Sequence, residues 1–286
     1  MPGTTSDRAL RAMTDDGAFR VITIEATETV RGILRAQKVP EKMARLFGEL
    51  VIGAILIRET LSPDLRIQTI LQGDDGRSRI ITDAQPDGTT RGLLQLGASM
   101  TNVALGAKSV LQVARTLHNG AIHQGVVSVG EELGISGALM SYLQTSEQIV
   151  SMVAVGCRFE GEDLAGAAGY IVQLLPEVGE GPLMVMTERL KDFEKIEPLL
   201  AAGKAGPADL LSEILYGMPS TTVGEVPLSF GCPCSHERML ISLSTLPRAD
   251  VQELIDGGEP LEIACDYCGK QYAIAPEQLR GLIASN

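Results

Sequence analysis

The sequence predicts an α+β protein in three parts: an N-terminal pseudo-duplicated mixed α/β domain with a mainly antiparallel sheet, a helical linker, and a small C-terminal domain held by cysteines. Three observations predict it. A strand, a helix and a hairpin follow one another twice before Pro176. A run broken by Pro and Gly then carries a thin apolar helical stripe. The last sixty residues hold four of the five cysteines. The expected boundaries are 1–178, 179–226 and 227–286.

The first strand is expected at "FRVITIEATE", residues 19–28, where apolar residues alternate. Pro40 opens a helix through Thr60, because proline is tolerated in a first helical turn. "LRIQTIL" and "SRIITDA" flank the turn "QGDDGR" and form a hairpin, and "QPDGTTRG" signals a second one. The pattern then repeats: "HQGVVSVG" is a strand, "SGALMSYLQTSEQI" a helix, and "VSMVAVGCRF" and "GAAGYIVQLL" a pair of strands joined by "EGEDLAG".

Between Gly179 and Pro227 the chain reads as short amphipathic helices. Leu190, Phe193, Ile196, Leu199 and Leu200 share one helical face. Leu210, Leu211, Ile214 and Leu215 extend it. Pro198, Gly203, Gly206, Pro207, Gly217 and Pro219 interrupt it. Such a connector packs onto the first domain by its stripe, and its detachment exposes that stripe.

Composition narrows the function. At 286 residues the chain is long for one domain and comfortable for two. It is 44% hydrophobic without a single Trp, so aliphatic side chains and Met fill the core and no base-stacking surface is evident. The net charge of -12 repels a phosphate backbone. "LVIGAILI" is far shorter than the ~20 residues of a membrane span. The first residues carry Asp7, Asp15 and Asp16 with no apolar signal core, so the expected location is cytoplasmic. In a reducing cytosol, close cysteine pairs are more often metal ligands or redox devices than structural disulfides.

The pairs are Cys232-x-Cys234 and Cys265-x-x-Cys268. A piece of about sixty residues usually needs a staple. Two thiol pairs from separate segments make a four-sulfur site that suits one Zn(II) per chain. Gly269, just after Cys268, permits the left-handed turn of a metal knuckle. His236 is an alternative fourth ligand in a three-cysteine, one-histidine site. A closed shell argues against hydrolytic zinc, which keeps a position open for water. His118 and His123 lie near a Gly-rich loop with nothing else to mark them as ligands or bases.

Residues 227–286 carry four basic and eight acidic side chains, a net of -4, which disfavours a grip on nucleic acid. The closeness of each pair points to redox chemistry. A sulfenic acid formed on one thiol condenses with its neighbour. Two disulfides leave no metal ligands. A structural zinc site supplies ~10–16 kcal/mol, much of it folding free energy. Its loss should therefore unfold the piece and free the connector.

The run "FGCPCSHERM…LSTLPRADVQELI…GEPLEIACDYCGKQY" strongly resembles the redox-regulated 33-kDa heat-shock chaperones of bacteria. "SYLQTSEQI", residues 141–149, is similar to a stretch of the same family, and the resemblance spans essentially the whole chain. It implies a reduced, inactive form with one zinc on Cys232, Cys234, Cys265 and Cys268. It implies disulfides Cys232–Cys234 and Cys265–Cys268 after oxidation, release of zinc, and unfolding of the zinc-binding domain and linker. It further implies ATP-independent holding of unfolding client proteins and dimerisation of the oxidised form. The chain has no G-x-x-x-x-G-K-[ST] motif, in keeping with a non-enzyme that consumes no nucleotide.

Two other classes compete. One is a thiol–disulfide oxidoreductase using Cys265 and Cys268. The other is a zinc-ribbon nucleic-acid module. Cys157, unpaired in "VGCRF", reads as a small buried strand residue. Tyr142, Ser146, Glu147 and Gln148 match the family stretch without an evident physical role; a polar cluster at a helix end is the plainer reading.

Overall fold

The structure is a computed structural model that describes residues 7–284 except 118, 131 and 177. It divides into two compact units, residues 1–230 and 231–286. The first unit runs β1 (Arg8–Thr14), β2 (Phe19–Glu25), α1 (Thr27–Ala36), α2 (Glu41–Thr60), β3 (Ile67–Gln72), β4 (Arg79–Ala84) and β5 (Thr89–Gln95). It continues with β6 (Val110–Thr116), β7 (Ile122–Ser128), α3 (Gly134–Ser146), β8 (Ser151–Glu160) and β9 (Asp163–Leu174). Then come α4 (Glu180–Leu190), a single 3-10 turn (Lys191–Phe193), α5 (Glu197–Ala201), α6 (Pro207–Ile214), β10 (Ser220–Pro227) and β11 (Ser229–Phe230). The second unit holds α7 (His236–Leu243), α8 (Arg248–Asp256), β12 (Leu261–Ala264), β13 (Gln271–Ile274) and α9 (Pro276–Ala284).

Two sheets build the first unit, in the orders β10-β1-β2-β9-β8 and β11-β5-β4-β3-β6-β7. Every described pairing is antiparallel except β11 with β5. The duplication has an exchange built into it. Strand β2 lies in the first sheet, and the hairpin after α2, β3–β4, lies in the second. Strand β7 lies in the second sheet, and the hairpin after α3, β8–β9, lies in the first. Helix α2 packs on β2, β8 and β9 of one sheet and on β3, β4 and β5 of the other. It is therefore buried almost all round, from Met43 to Glu59. Gly53 lets α3 close in, since a Cβ there would come within 2.6 Å of Leu139 Cδ1. Among the described residues no helix is long and apolar enough to cross a membrane.

The connector packs as its stripe requires. Leu190, Ile196, Leu210, Ile214 and Leu215 are buried in one cluster with Phe19, Val21, Tyr170 and Val172 of the first sheet. Phe193, Leu199, Leu200 and Leu211 border it. The Phe193 ring stands edge-on to Tyr170, with centroids 6.5 Å apart. The Tyr170 hydroxyl donates to the Phe193 carbonyl at 2.8 Å. A Cβ at Gly156 would come within 2.5 Å of Ile196 Cγ2, so α5 rests directly on β8.

Several elements differ from the sequence reading. The first expected strand stops at Glu25, and Thr27 opens α1 instead. Asp7 accepts from the Thr29 amide and hydroxyl, at 2.5 and 2.6 Å, and so caps that helix from a distant segment. Strands β1 and β6 are present where the sequence reading places no strand. The connector is not all helical, because it ends in β10, which pairs with β1 from Ser220 to Pro227.

Candidate metal centre

The second unit presents its cysteines on two turns. Cys265 follows the last residue of β12, and Cys268 lies in the turn to β13. The Cys265 amide donates to the Lys270 carbonyl at 2.9 Å, and the Gly269 amide to the Cys265 carbonyl at 2.7 Å. Gly269 has φ +73, a left-handed backbone that glycine adopts without strain. The turn directs the amides of Tyr267 and Cys268 at the Cys265 sulfur, and that of Lys270 at Cys268. Cys232 and Cys234 come from the segment before α7, whose first turn is capped by Ser235 accepting from the Arg238 amide at 3.2 Å.

All four sulfurs lie within 4.8 Å of one another. Cys232 and Cys265 approach to 3.7 Å, Cys234 and Cys268 to 3.5 Å. A tetrahedron of sulfurs at ~2.3 Å from an ion has edges of about 3.8 Å. A disulfide is ~2.05 Å long. The spacing is that of a ligand shell.

The thiols are unequally poised. Burial pushes the Cys265 thiol up, and Cys268 up to about 12. Burial pushes on Cys234 as well, but hydrogen bonds, that of Tyr272 foremost, outweigh it and bring the thiol down to about 7. The Tyr272 hydroxyl donates to Cys234 Sγ at 3.1 Å, and this bond pushes the phenol up to about 12. Four thiolates this close repel one another, and a central dication removes that penalty. The donor set fits a soft, four-coordinate cation of the zinc type with no position left open.

The other sequence candidates lie elsewhere. His236 pairs with Gln278 at 2.8 Å, and its ring tilts toward Tyr272. It is not part of the cluster. His123 sits on β7 opposite Arg115 in the first unit, and its Nδ1 is buried without a hydrogen-bond partner. His118 lies outside the described residues. Cys157 is fully buried on β8 against α2, where a Cβ at Gly48 would meet its sulfur at 2.5 Å. Burial, with the Glu49 charge adding to it, holds that thiol protonated.

The family model described as Hsp33 protein matches residues 7–275. The chain belongs to the Hsp33 family. It is 29% identical to the 33 kDa chaperonin of Syntrophotalea carbinolica, over 97% of this chain and 99% of that one. It is 30% identical to the 33 kDa chaperonin of Streptococcus pyogenes serotype M49 (strain NZ131), over 97% and 98%. Among solved structures, the 33 kDa chaperonin of Thermotoga maritima superposes with a TM-score of 0.82 at 20% identity, covering 98% of each chain, and so shares the fold.

The family stretch at the end of α3 now has a physical account. The Tyr142 hydroxyl donates to Glu147 Oε1 at 2.6 Å, and Arg115 of β6 donates to Glu147 Oε2 at 2.8 Å. Gln148 turns left-handed at φ +58, and the Ile149 amide closes back on the Leu143 carbonyl at 3.0 Å. A left-handed residue directly after the C-cap Glu147 ends the helix, a common stop signal. Ser146 packs so closely that a Cβ at Gly125 of β7 would come within 2.5 Å of its hydroxyl. The motif ends α3 and staples it to β6 and β7. Tyr272 is the residue that sequence reasoning missed at the metal centre. Its place in "CGKQY" was visible, but nothing in the pattern says that a phenol reaches Cys234.

Proposed function

We propose that this Hsp33-family chaperone is an ATP-independent holdase switched on by oxidation. Cys232, Cys234, Cys265 and Cys268 hold one zinc ion in the reduced form. Zinc, when bound, stabilises four thiolates side by side and ties the two turns together. Two equivalents of peroxide, with four protons from solvent, oxidise the four thiolates to disulfides Cys232–Cys234 and Cys265–Cys268, each peroxide taking two electrons and leaving two waters. Disulfide sulfurs are poor ligands, so the second unit loses its staple.

The observation that carries this reading is the composition of that unit's core. Its buried cluster is Val251, Ile255, Cys265, Tyr272, Ile274 and Leu279, with the other three cysteines packed against it. A core this small, with the ligands inside it, depends on the metal. The three-part division at 1–178, 179–226 and 227–286 belongs to the proposal, the middle part being the segment set free. Its stripe then meets unfolding clients. The oxidised form pairs as a homodimer, and the protein acts in the cytoplasm, not as an enzyme and without nucleic acid, membrane or ATP.

Two competing readings lack support. Cys265 and Cys268 lie in a strand-to-strand turn, not at the helix N-terminus where an oxidoreductase lowers its attacking thiol. Asp250, Glu253, Glu259 and Glu262 line a groove of the second unit, a poor surface for phosphates. The test is light scattering from a thermally unfolding client. The reduced, zinc-loaded protein should leave aggregation unchanged, and peroxide at mild heat should make it suppress aggregation. Equal behaviour of both forms refutes the switch.

A further inference from the structure

We propose that β1 is a template for client chains: an extended segment of an unfolding protein adds to its edge in the place that β10 vacates. The inference rests on the oxidation switch proposed above.

Strand β10 is weakly held. It pairs antiparallel with β1, Arg8 opposite Pro227 and Thr14 opposite Ser220, with a register shift at Arg11 and Ala12. Its sequence, STTVGEVP, is polar, and none of its side chains is buried. Beyond the backbone ladder it contributes one half-buried apolar side chain, Val226, packed against the first core, the ion pair Arg8–Glu225 at 3.2 Å, with both partners more than a third exposed, and a bond from Thr221 to Asp15 at 3.0 Å. An exposed pair of this kind adds little. Between Pro227, its last residue, and Cys232 the chain is held by the buried Leu228 and by the two-residue pairing of β11 with β5, so β10 departs when those contacts break after the second unit has unfolded.

Strand β1 is firmly held. Ala9, Leu10 and Ala12 are buried. It pairs with β2 from Arg8/Glu25 to Met13/Arg20. Departure of β10 therefore leaves a rigid strand with an unpaired row of amides and carbonyls. Such an edge recruits extended chains by strand addition.

The vacated place defines its occupant. β10 is exposed except at Gly224 and Val226, which are half-buried on one face, so the edge reads mainly backbone and tolerates most side chains outside those places. Two positions carry a preference. An acidic residue suits the place of Glu225 beside Arg8. A small one suits the place of Gly224, where a Cβ would come within 2.7 Å of Arg11 Nη2. Proline in the middle is excluded, because it removes a ladder donor. The edge strand β7 makes a control. Its Ile122 and Val126 are already exposed with the connector docked, so client capture there would not depend on the switch.

The experiment places a photoreactive benzoylphenylalanine in the full-length protein, either at Met13, which is exposed on the β1 edge, or at Ile122 on β7. Reduced carboxymethylated α-lactalbumin serves as a permanently unfolded client. The same samples are assayed for suppression of client aggregation. Peroxide should raise crosslinking to the client severalfold at position 13 and not at position 122. A peptide spanning residues 219–228 in excess should compete the signal away, and the same peptide carrying Thr222→Pro should not. Crosslinks from position 13 to residues 220–227 of a second copy overturn the proposal in favour of strand exchange between copies. Suppression without any rise at position 13 also overturns it and leaves the switch standing. Neither suppression nor crosslinking refutes the switch, and the template falls with it.

Discussion

The chain holds two cores that are maintained by different forces. The first unit wraps two sheets round α2 with a continuous aliphatic cluster from Ala9 to Leu228, and it needs nothing from outside the chain. The second buries little more than one face of each short element, and a ligand-bearing cysteine is among its few buried residues. Hydrophobic burial scales with area removed from water, so under the proposed switch the first core is expected to persist under oxidant. The second, on the same proposal, rests on its four cysteines and is expected not to. The connector lies between these regimes: its stripe is buried, yet Met184, Val185 and Tyr216 remain exposed. On that reading one chain sets the stabilities of its parts independently, by aliphatic packing in one and metal ligation in the other.

The largest effect expected is from Cys265→Ser. It should remove most of a metal affinity on the order of 10–16 kcal/mol. Metal content should fall, residues 231–286 should become protease-sensitive, and the melting of the first unit should stay in place. If the first unit melts along with metal loss, the contrast between the cores is broken. Next comes Ile196→Ala, which empties a contact where Ile196 is 1% exposed. A cavity of this kind costs about 2–5 kcal/mol. The connector should become cleavable with less oxidant, and an unchanged cleavage pattern would show that the stripe does not hold it.

Tyr142→Phe sharpens the comparison from the other side. It removes a hydrogen bond to the Glu147 carboxylate, worth about 1.5–3 kcal/mol. The first unit should melt several degrees lower with metal content unchanged; a loss of metal would couple the units. The smallest effect concerns pH. Burial pushes the Glu49 carboxyl from 4.5 up to about 7, the Arg45 charge opposing and the Glu197 charge assisting. Arg45 also reaches Glu197 of α5 at 3.9 Å, so this carboxyl senses the docked connector. A raised carboxyl pKa means that the packed state prefers the neutral acid. The contribution is therefore fully present below about 4.5 and is lost as pH rises through about 7. Connector cleavage should be faster at pH 8 than at pH 6, and Glu49→Gln should flatten the difference. A profile unaltered by that substitution removes Glu49 from the account.

Local signals made much of this architecture legible. Gly-containing turns announced the hairpins β3–β4 and β4–β5, and Pro40 with a long apolar run announced α2. What escaped is what tertiary pairing imposes. STTVGEVP has no apolar alternation, and it is a strand because β1 offers it a ladder. α1 owes its start to Asp7, twenty-two residues from Thr29. At the candidate metal centre the clustering of the four cysteines was legible in their spacing, because two close pairs of thiols imply a shared site. Tyr272 was not, since its contact with Cys234 exists only once β13 has folded beside the cluster. The same holds for Glu147, whose two partners, Tyr142 and Arg115, are joined only in three dimensions.

The most direct test of the central claim is hydrogen exchange, residue range by residue range, on the full-length protein before and after peroxide at mild heat. The account predicts that residues 231–286 and 180–227 lose protection together while α2, β2 and β9 keep theirs. Protection retained throughout, or lost equally in α2, would contradict it.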